Sequence, residues 1–473
     1  MIQRLLQSRS FLRSIARNSH SIAIVGSGPS GCYTAKYLLQ QLPEARIDIL
    51  DRLPTPYGLV RYGVAPDHPE VKNVQSDFDT LFLRARFLGH VDVGTNDVSV
   101  KALRENYDAV VLAYGCQADR TLSHLGTPPK GVLSAREFVA WYNGHPNFEH
   151  IGSVVKDALS LADSPSVVVL GQGNVALDCA RILVKGTAGL FDTDVAQHAL
   201  DVIGDGVPNV SIVGRRGHVQ GAFTIKELRE LVKLEAEGYQ VGFRVRSEEL
   251  ALTPASEQEL EASRPRQRMH KLLMESADRT SEQPKYVHLR FFLNPSSWQG
   301  SDHLEGVVLE HTRLEGESGT QSAVGTSEFE VLPAQLALVS IGYKGVALPG
   351  TDSWFDESRG TFRHAHGCVD PASEALGGLY TAGWVKRGPS GIIGTNIPDA
   401  KDTVATILKD LQSSEPKLRP FDLEEELKKN QVDYVTWEGY RKIEHAERER
   451  RRSEKQPREK IVSLQEQLHV ANS

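Results

Sequence analysis

The chain has 473 residues, 40% of them hydrophobic and 24% charged, with a net charge of -7; this is more than one hydrophobic core organises, so two domains are expected. The acidic balance argues against a nucleic-acid or anionic-membrane binder as a whole and shifts attention to local patches, and the apolar runs fall far short of the roughly 20 residues that span a bilayer. Four cysteines, Cys32, Cys116, Cys179 and Cys368, stand far apart without a CxxC pair, which argues against a disulfide scaffold, a zinc site or an internal iron-sulfur cluster and predicts reduced, mostly buried thiols.

Residues 1–19 carry Arg4, Arg9, Arg13 and Arg17 among serines and spaced apolar residues, and no acid precedes Glu44. That is the composition of a matrix-targeting peptide rather than of a fold element. Next, Ile22 to Val25 reads as a buried parallel strand, Gly26, Gly28 and Gly31 complete GxGxxG, and a helix follows over Cys32 to Gln40. Such glycines let the backbone turn sharply and approach a pyrophosphate, which then sits on the helix N-terminus. The next strand ends at Asp51, 20 residues beyond Gly31, where a carboxylate accepts hydrogen bonds from ribose hydroxyls and favours FAD or NAD over a 2'-phosphate. Tyr107 to Tyr114 reads as a buried strand closed by Gly115, and residues 131–144 as a helix crossing to a second domain.

From Ser166 the device is repeated: the strand Val167 to Leu170 leads into Gly171, Gly173 and Ala176. The strand after this copy ends in Gly214, Arg215, Arg216 and Gly217, so two guanidiniums stand where the first copy has an acid. Arginine matches phosphate oxygens, and the site should take the 2'-phosphate of NADPH and discriminate against NADH. The late arrival of the arginines requires an insertion around Gly186 to Pro208. One acid-type and one arginine-type site in a single chain is the architecture of a flavin reductase.

Gly238 to Gln283 is largely charged with helical stretches; within it Pro265 can open a helix on which Arg264, Arg268 and Lys271 share a stripe while Met269, Leu272 and Leu273 face the core. Val287 to Glu330 is strand-like, and Leu336 to Ile341 is another buried strand. GGLYTAGW returns to the first domain, and a turn with Gly388, Gly391 and Gly394 opens a helix toward Leu408. The charged stretch Leu423 to Lys460 reads as a surface clasp. The fold class expected is α/β, two Rossmann-like dinucleotide-binding domains in a glutathione reductase-like arrangement. The boundaries expected are 20–121 and 346–473 for a split FAD domain and 122–345 for an inserted NADPH domain.

With both sites in view, the chain resembles the adrenodoxin reductase family of mitochondrial NADPH:ferredoxin reductases from about Ile22 to Lys460. The most specific stretches are GLVRYGVAPDHPEVKNV from Gly58, GQGNVALD from Gly171, VGRRG with FTIKELRE through Glu230, and AGWVKRGPSGII from Ala382. The resemblance implies that Ser30, Asp51, Leu59 and Val93, with Gly26, Gly28 and Gly31, hold the adenosine and pyrophosphate side of FAD, and that Trp384, Gly391, Ile392 and Ile393 hold its flavin end. It implies NADPH at Gln172, Gly173, Asn174, Val175, Arg215, Arg216 and Glu227, with Gly391 also touching the nicotinamide. A glycine there leaves room for two rings to stack, and Trp384 supplies an apolar wall. His68 and Asp178 are implied as a polar link near the flavin. Departures are Asp51 where the family usually has Glu, Ser30 where it has Ala, and Gly394 and Ile397 in a stretch that is Thr-rich in the family.

The function implied is hydride transfer from NADPH to FAD, then single electrons to an acidic 2Fe-2S ferredoxin docked on Arg264 and Arg268, feeding mitochondrial P450, haem or iron-sulfur cluster pathways. A monomer in the mitochondrial matrix without metal, nucleic acid or transmembrane segment is expected, with peripheral association with the inner membrane left open. A disulfide reductase would need a redox-active cysteine pair, which is missing. An NADPH-dependent diaphorase or monooxygenase acting on a small molecule, and a flavin-bearing interaction protein, are the other readings.

Overall fold

Short β-branched runs bounded by glycine or charge suit strands covered on both faces, and the computed structural model, which describes residues 19–95, 97–279, 281–417 and 421–473, contains two parallel sheets built from them. The arginine-rich segment expected to direct targeting lies outside the described residues but for residue 19. In the first sheet Gly378–Thr381, Ala109–Leu112, Ser21–Val25, Arg46–Leu50 and Arg86–Gly89 run parallel side by side, with Cys368–Asp370 and Val435–Thr436 as antiparallel edges. Ser21–Val25 is buried throughout, and from it the chain proceeds to Arg46–Leu50 on one side and Ala109–Leu112 on the other. That reversal opens a crevice at the carboxyl ends of the strands.

The second sheet orders Val132–Ser134, Leu336–Val339, Ser166–Leu170, Asn209–Val213, Lys285–Arg290 and Val241–Val245, all parallel. Its reversal lies between Ser166–Leu170 and Leu336–Val339. A three-stranded antiparallel sheet, Leu293–Gln299, Gly306–Glu315 and Ser322–Pro333, extends it. Thus the chain leaves the first sheet after Leu112, completes the second, and returns at Gly378. Ala118–Asp119 and Tyr343–Lys344, on the outgoing and returning passages, pair antiparallel as a hinge.

Two expectations need correction here. The helix expected over 131–144 starts late: Val132–Ser134 is a strand paired with Leu336–Val339, and a capping box between Ser134 and Glu137 begins the helix Ala135–Tyr142. The expected insertion after the second fingerprint is present as a break at Gly186 (φ 58°) and the helix Gln197–Ile203. The C-terminal helix Trp437–Glu449 is more than a surface clasp, since Tyr440, Ile443, Glu444 and Glu447 are buried. Trp437 stacks on Phe82 at 4.6 Å, and Glu447 pairs with the buried Arg61 while facing Arg458 at 3.6 Å. Periodic acids beside bases look solvated in sequence, but here Glu447 finds Arg61 from a distant segment and Glu444 finds Arg458 beyond the helix.

Residues 58–72 join the two sheets. Asp67 accepts from Arg181 Nε at 2.7 Å and from Lys185 Nζ at 2.9 Å, both on the helix Asn174–Leu190 of the second sheet. Lys72 donates to Asp194 at 2.6 Å, and Lys460, from the C-terminal segment, reaches the same carboxylate at 3.0 Å. Arg181 is 1% exposed and also contacts Asp178 at 2.8 Å and Glu230 at 3.5 Å. The two cations beside Asp67 hold its carboxyl well below the usual carboxylate range in spite of burial. Arg181→Met therefore strands buried carboxylates and should cost about 3–5 kcal/mol. Urea denaturation should show that loss for the single variant and recovery of most of it when Asp67→Asn and Asp178→Asn are added; equal midpoints for wild type and Arg181→Met would contradict the joint.

Candidate functional site

The two fingerprints make the same cradle twice. Gly26 and Gly171 hold φ of 109° and 138°, and a Cβ on either would strike the backbone of the neighbouring strand's end, at 2.6 Å from Ala113 O and 2.0 Å from Ser340 O respectively. Only glycine fits there. The second glycines, Gly28 and Gly173, have nothing within 4 Å of the position a Cβ would take. Each is the N-cap of a helix, Pro29–Gln41 and Asn174–Leu190, so each open cradle faces free backbone N–H groups and the positive helix end. At the third position Gly31 lets the helix approach Gly26 O, 1.9 Å from its would-be Cβ, while the second copy carries the buried Ala176. Ser30 Oγ is buried and has no hydrogen-bond partner among the described residues. A pyrophosphate laid across Gly28 would supply the acceptor, so these residues fit FAD.

What closes the cradles differs. Asp51 Oδ2 accepts from Ser27 N at 2.9 Å and from the Ser27 hydroxyl, and Oδ1 accepts from Leu53 N at 3.0 Å. The carboxylate expected at the ribose thus also braces the glycine loop, a task that spacing alone does not reveal. Val91 N donates to Asp51 O at 2.9 Å, which brings the buried Val93 to the same side. Leu59 follows Gly58, whose would-be Cβ lies 3.2 Å from Gly28 Cα, and is 41% exposed.

In the second cradle Gln172 donates to Arg290 O at 3.0 Å, Asn174 Oδ1 accepts from Thr224 N at 2.9 Å, and Val175 packs against the sheet's core. Arg215 is exposed and Arg216 half-buried; neither has a carboxylate partner among the described residues, and Arg216 Nη2 reaches only Gln220 O at 3.4 Å. Two guanidiniums without counter-ions beside an open cradle suit a phosphate. Glu227 is in the first turn of the helix Ile225–Lys233 and accepts from Thr224 Oγ1.

Between the cradles stands the turn 388–395. Trp384 opens a short helix after Gly383 (φ 78°) and lies 5.5 Å from the ring of Tyr343 in the hinge. Arg387, which sequence reasoning missed, braces the turn by donating to Ser390 O, to Thr395 Oγ1 at 2.9 Å and to Asn396 Oδ1 at 3.2 Å. Gly391 holds φ 83° on that turn, Ile392 is 68% exposed, and Ile393 is half-buried. A cavity of about 920 Å³ opens beside it, lined among others by Arg120, Gly342, Arg359, Arg363, Lys386 and Arg387; the positive lining suits a phosphate-bearing ligand.

The expected link between His68 and Asp178 is indirect. His68 Nε2 is 2.7 Å from Glu230 Oε2, and Asp178 pairs with Arg181, which bridges the two. Burial raises the Asp178 carboxyl, with Arg181 opposing. Arg181 displaces the direct contact because a guanidinium satisfies three acids at once. Its signal was legible: one arginine on the apolar face of CARILV needs a buried acid. Burial works against a charged His68, yet its bond to Glu230 raises the pKa. Burial likewise opposes the Glu230 charge, and the same bond holds that carboxyl low.

Gly28→Ala should fold but lose FAD, Gly173→Ala should keep FAD and lose NADPH affinity, and Gly31→Ala should impair folding itself; bound flavin per chain and thermal melting distinguish the three. A raised His68 pKa stabilises the folded state fully below its ordinary value of about 6.5 and fades as pH rises through the folded value. Denaturation midpoints should therefore drop as the pH rises above about 6.5 by an increment that His68→Gln abolishes; an unchanged pH slope in that variant would contradict the pairing with Glu230.

The pyridine nucleotide-disulphide oxidoreductase family model matches residues 20–267. Over 491 residues the chain is 41% identical to the mitochondrial NADPH:adrenodoxin oxidoreductase of Arabidopsis thaliana, with 99% of each chain covered. It is 39% identical over 476 residues to that of Homo sapiens, with 97% of this chain and 93% of the human one covered. The solved structure of Mycobacterium tuberculosis FprA in complex with NADPH is similar with a TM-score of 0.87 and 38% identity, covering 96% of this chain and 100% of that one. With likeness spread over nearly the whole length, this chain belongs to the NADPH:adrenodoxin oxidoreductase family of the pyridine nucleotide-disulphide oxidoreductases.

Proposed function

We propose that this protein is a flavoprotein oxidoreductase that passes a hydride from NADPH to FAD and then single electrons to a 2Fe-2S ferredoxin of the adrenodoxin type. The observation that carries the reading is the pair of matching cradles closed by unlike groups, Asp51 in one and Arg215 with Arg216 in the other. Residues 20–121 and 346–473 form the FAD-binding part and 122–345 the NADPH-binding part. Gly26, Gly28, Ser30, Gly31, Asp51, Leu59 and Val93 hold FAD on its adenosine and pyrophosphate side, and Trp384 with Gly391 to Ile393 at its flavin end. Gln172 to Val175, Arg215, Arg216 and Glu227 hold NADPH, whose nicotinamide reaches Gly391.

Bound FAD supplies the change from two-electron to one-electron chemistry. The protein aligns, desolvates and orients, and no side chain need act as nucleophile. Arg387 fixes the turn that carries Gly391, and Trp384 with Tyr343 walls the hinge side against water. His68, Glu230, Arg181 and Asp178 keep the two sheets in register. The four cysteines are unpaired, Cys32 and Cys179 are buried, and burial raises the thiol pKa of Cys116 to about 12; none is poised for disulfide exchange.

Arg264 and Arg268 lie exposed on the helix Arg264–Ser276, whose Met269 and Leu273 are buried. Neither arginine has a carboxylate partner among the described residues, whereas Arg266 is bound by Glu259 at 3.1 Å. An acidic ferredoxin surface complements that pair. Among the described residues no helix is long and apolar enough to cross a membrane. The chain is mitochondrial, and we place it in the matrix as a monomer.

Exchanging both docking charges tests the partner assignment. Arg264→Glu with Arg268→Glu should leave NADPH to ferricyanide turnover near normal and lower ferredoxin reduction at low salt by about tenfold or more. Cytochrome c reduction through ferredoxin is the readout, and unchanged ferredoxin kinetics would remove the docking surface.

A further inference from the structure

The loop that carries Arg215 and Arg216 is held at one end by the sheet. Gly214 N donates to Arg290 O at 3.1 Å, Leu293 N to Gly214 O at 3.0 Å, and Thr312 Oγ1 to Arg215 O at 2.7 Å. Beyond the arginines the turn His218–Gln220 has a different anchor. His218 is 2% exposed, and its Nε2 lies 2.8 Å from Nδ1 of His270, with the two rings nearly parallel at 17°. His270 belongs to the helix Arg264–Ser276 and is half-exposed. Two residues on, Gln220 donates to Ser256 Oγ at 3.2 Å, and Ser256 is bound in turn by Gln321 at 2.9 Å.

A bond between two imidazoles requires one N–H and one bare nitrogen, so at least one ring is neutral, and burial favours neutrality of both. Burial lowers the His218 pKa to about 4 and lowers that of His270 as well. The other nitrogen of His218, Nδ1, is buried without a partner among the described residues. A bare Nδ1 in that place forfeits less than an unpaired N–H, which assigns the proton to His218 Nε2 as donor and leaves His270 Nε2–H facing solvent.

We propose that His218 and His270 are positioning residues that fix the Arg215–Arg216 loop for the 2'-phosphate, and so set the preference for NADPH over NADH. The inference rests on the reading of Arg215 and Arg216 as the phosphate site. Without the His270 acceptor, the turn loses its tie to the helix and a buried N–H is left unpaired. The loop must then be ordered at the moment of binding, a cost borne only by ligands that use the arginines.

The test uses the FAD-loaded full chain. His270→Leu keeps an apolar body against His218 and deletes the acceptor, while His270→Asn retains a carbonyl oxygen close to the position of Nδ1. Calorimetry with 2',5'-ADP, which presents the phosphorylated ribose without nicotinamide, should show affinity about tenfold weaker in His270→Leu, the factor that a lost hydrogen bond of about 1.4 kcal/mol gives. The KM for NADPH should rise in parallel with turnover at saturation preserved, NADH kcat/KM should be unchanged, and His270→Asn should restore most of the loss. Equal weakening toward 2',5'-ADP and 5'-AMP, or no weakening, would overturn the proposal, as would a change confined to thermal stability. Arg215→Ala with Arg216→Ala in the same assays separates the two claims. If that variant keeps its preference for 2',5'-ADP, the phosphate site itself is wrong; if it loses the preference while His270→Leu does not, the positioning role alone falls.

Discussion

The ion pair between Asp67 and Arg181 is the contact on which the arrangement of the two cradles depends. Each sheet can form by itself from buried apolar strands, and each glycine loop is fixed by its own backbone neighbours. Nothing in either loop, however, sets how one cradle faces the other. That relation is carried by residues 58–72, which project from the first sheet beside Gly28 and plug into the helix that begins at Gly173. The segment starts at one nucleotide cradle and ends on the helix of the other, so geometry at one site is tied to geometry at its neighbour. Lys72 and Lys460 converging on Asp194 add the C-terminal segment to the same seam.

Burying so much charge is expensive unless every member is paired, and the seam satisfies that condition by sharing. Arg181 serves three acids, and Asp67 two cations. Apolar packing would hold the sheets as firmly, but it is indifferent to small sliding motions, whereas bidentate pairs fix direction as well as distance. For the proposed reaction, in which the rings of two cofactors must be brought together, directional contacts are the more useful kind.

The glycine fingerprints and the paired arginines were legible in the sequence because each is dictated locally: a positive φ at Gly26 and Gly171, an open face at Gly28 and Gly173, and a strand end at Val213. The double-sheet class followed from the repeat itself. Less legible were contacts made between distant segments. His68 and Glu230 are 162 positions apart, and no spacing rule connects them, so the link was assigned to Asp178 instead. Glu444 and Glu447 looked like part of a solvated charge pattern because Glu444 has helix neighbours Arg441 and Arg448 as partners, while Arg458 and Arg61, which help bury the pair, lie outside the helix. At Asp51 spacing singled out the carboxylate at the strand end, while its bonds to Ser27, which brace the glycine loop, depended on loop geometry. Local chemistry reads out of sequence; long-range charge pairing does not.

If one chain holds an acid-closed and an arginine-closed nucleotide site in contact, the coenzyme's 2'-phosphate should decide how fast the flavin is reduced. Anaerobic mixing of the purified yellow protein with equal concentrations of NADPH or NADH, followed by flavin absorbance, measures this directly. Rapid, complete bleaching by NADPH with slow bleaching by NADH is the expected result. Equal rates with the two coenzymes, or protein that retains no flavin, would contradict the account.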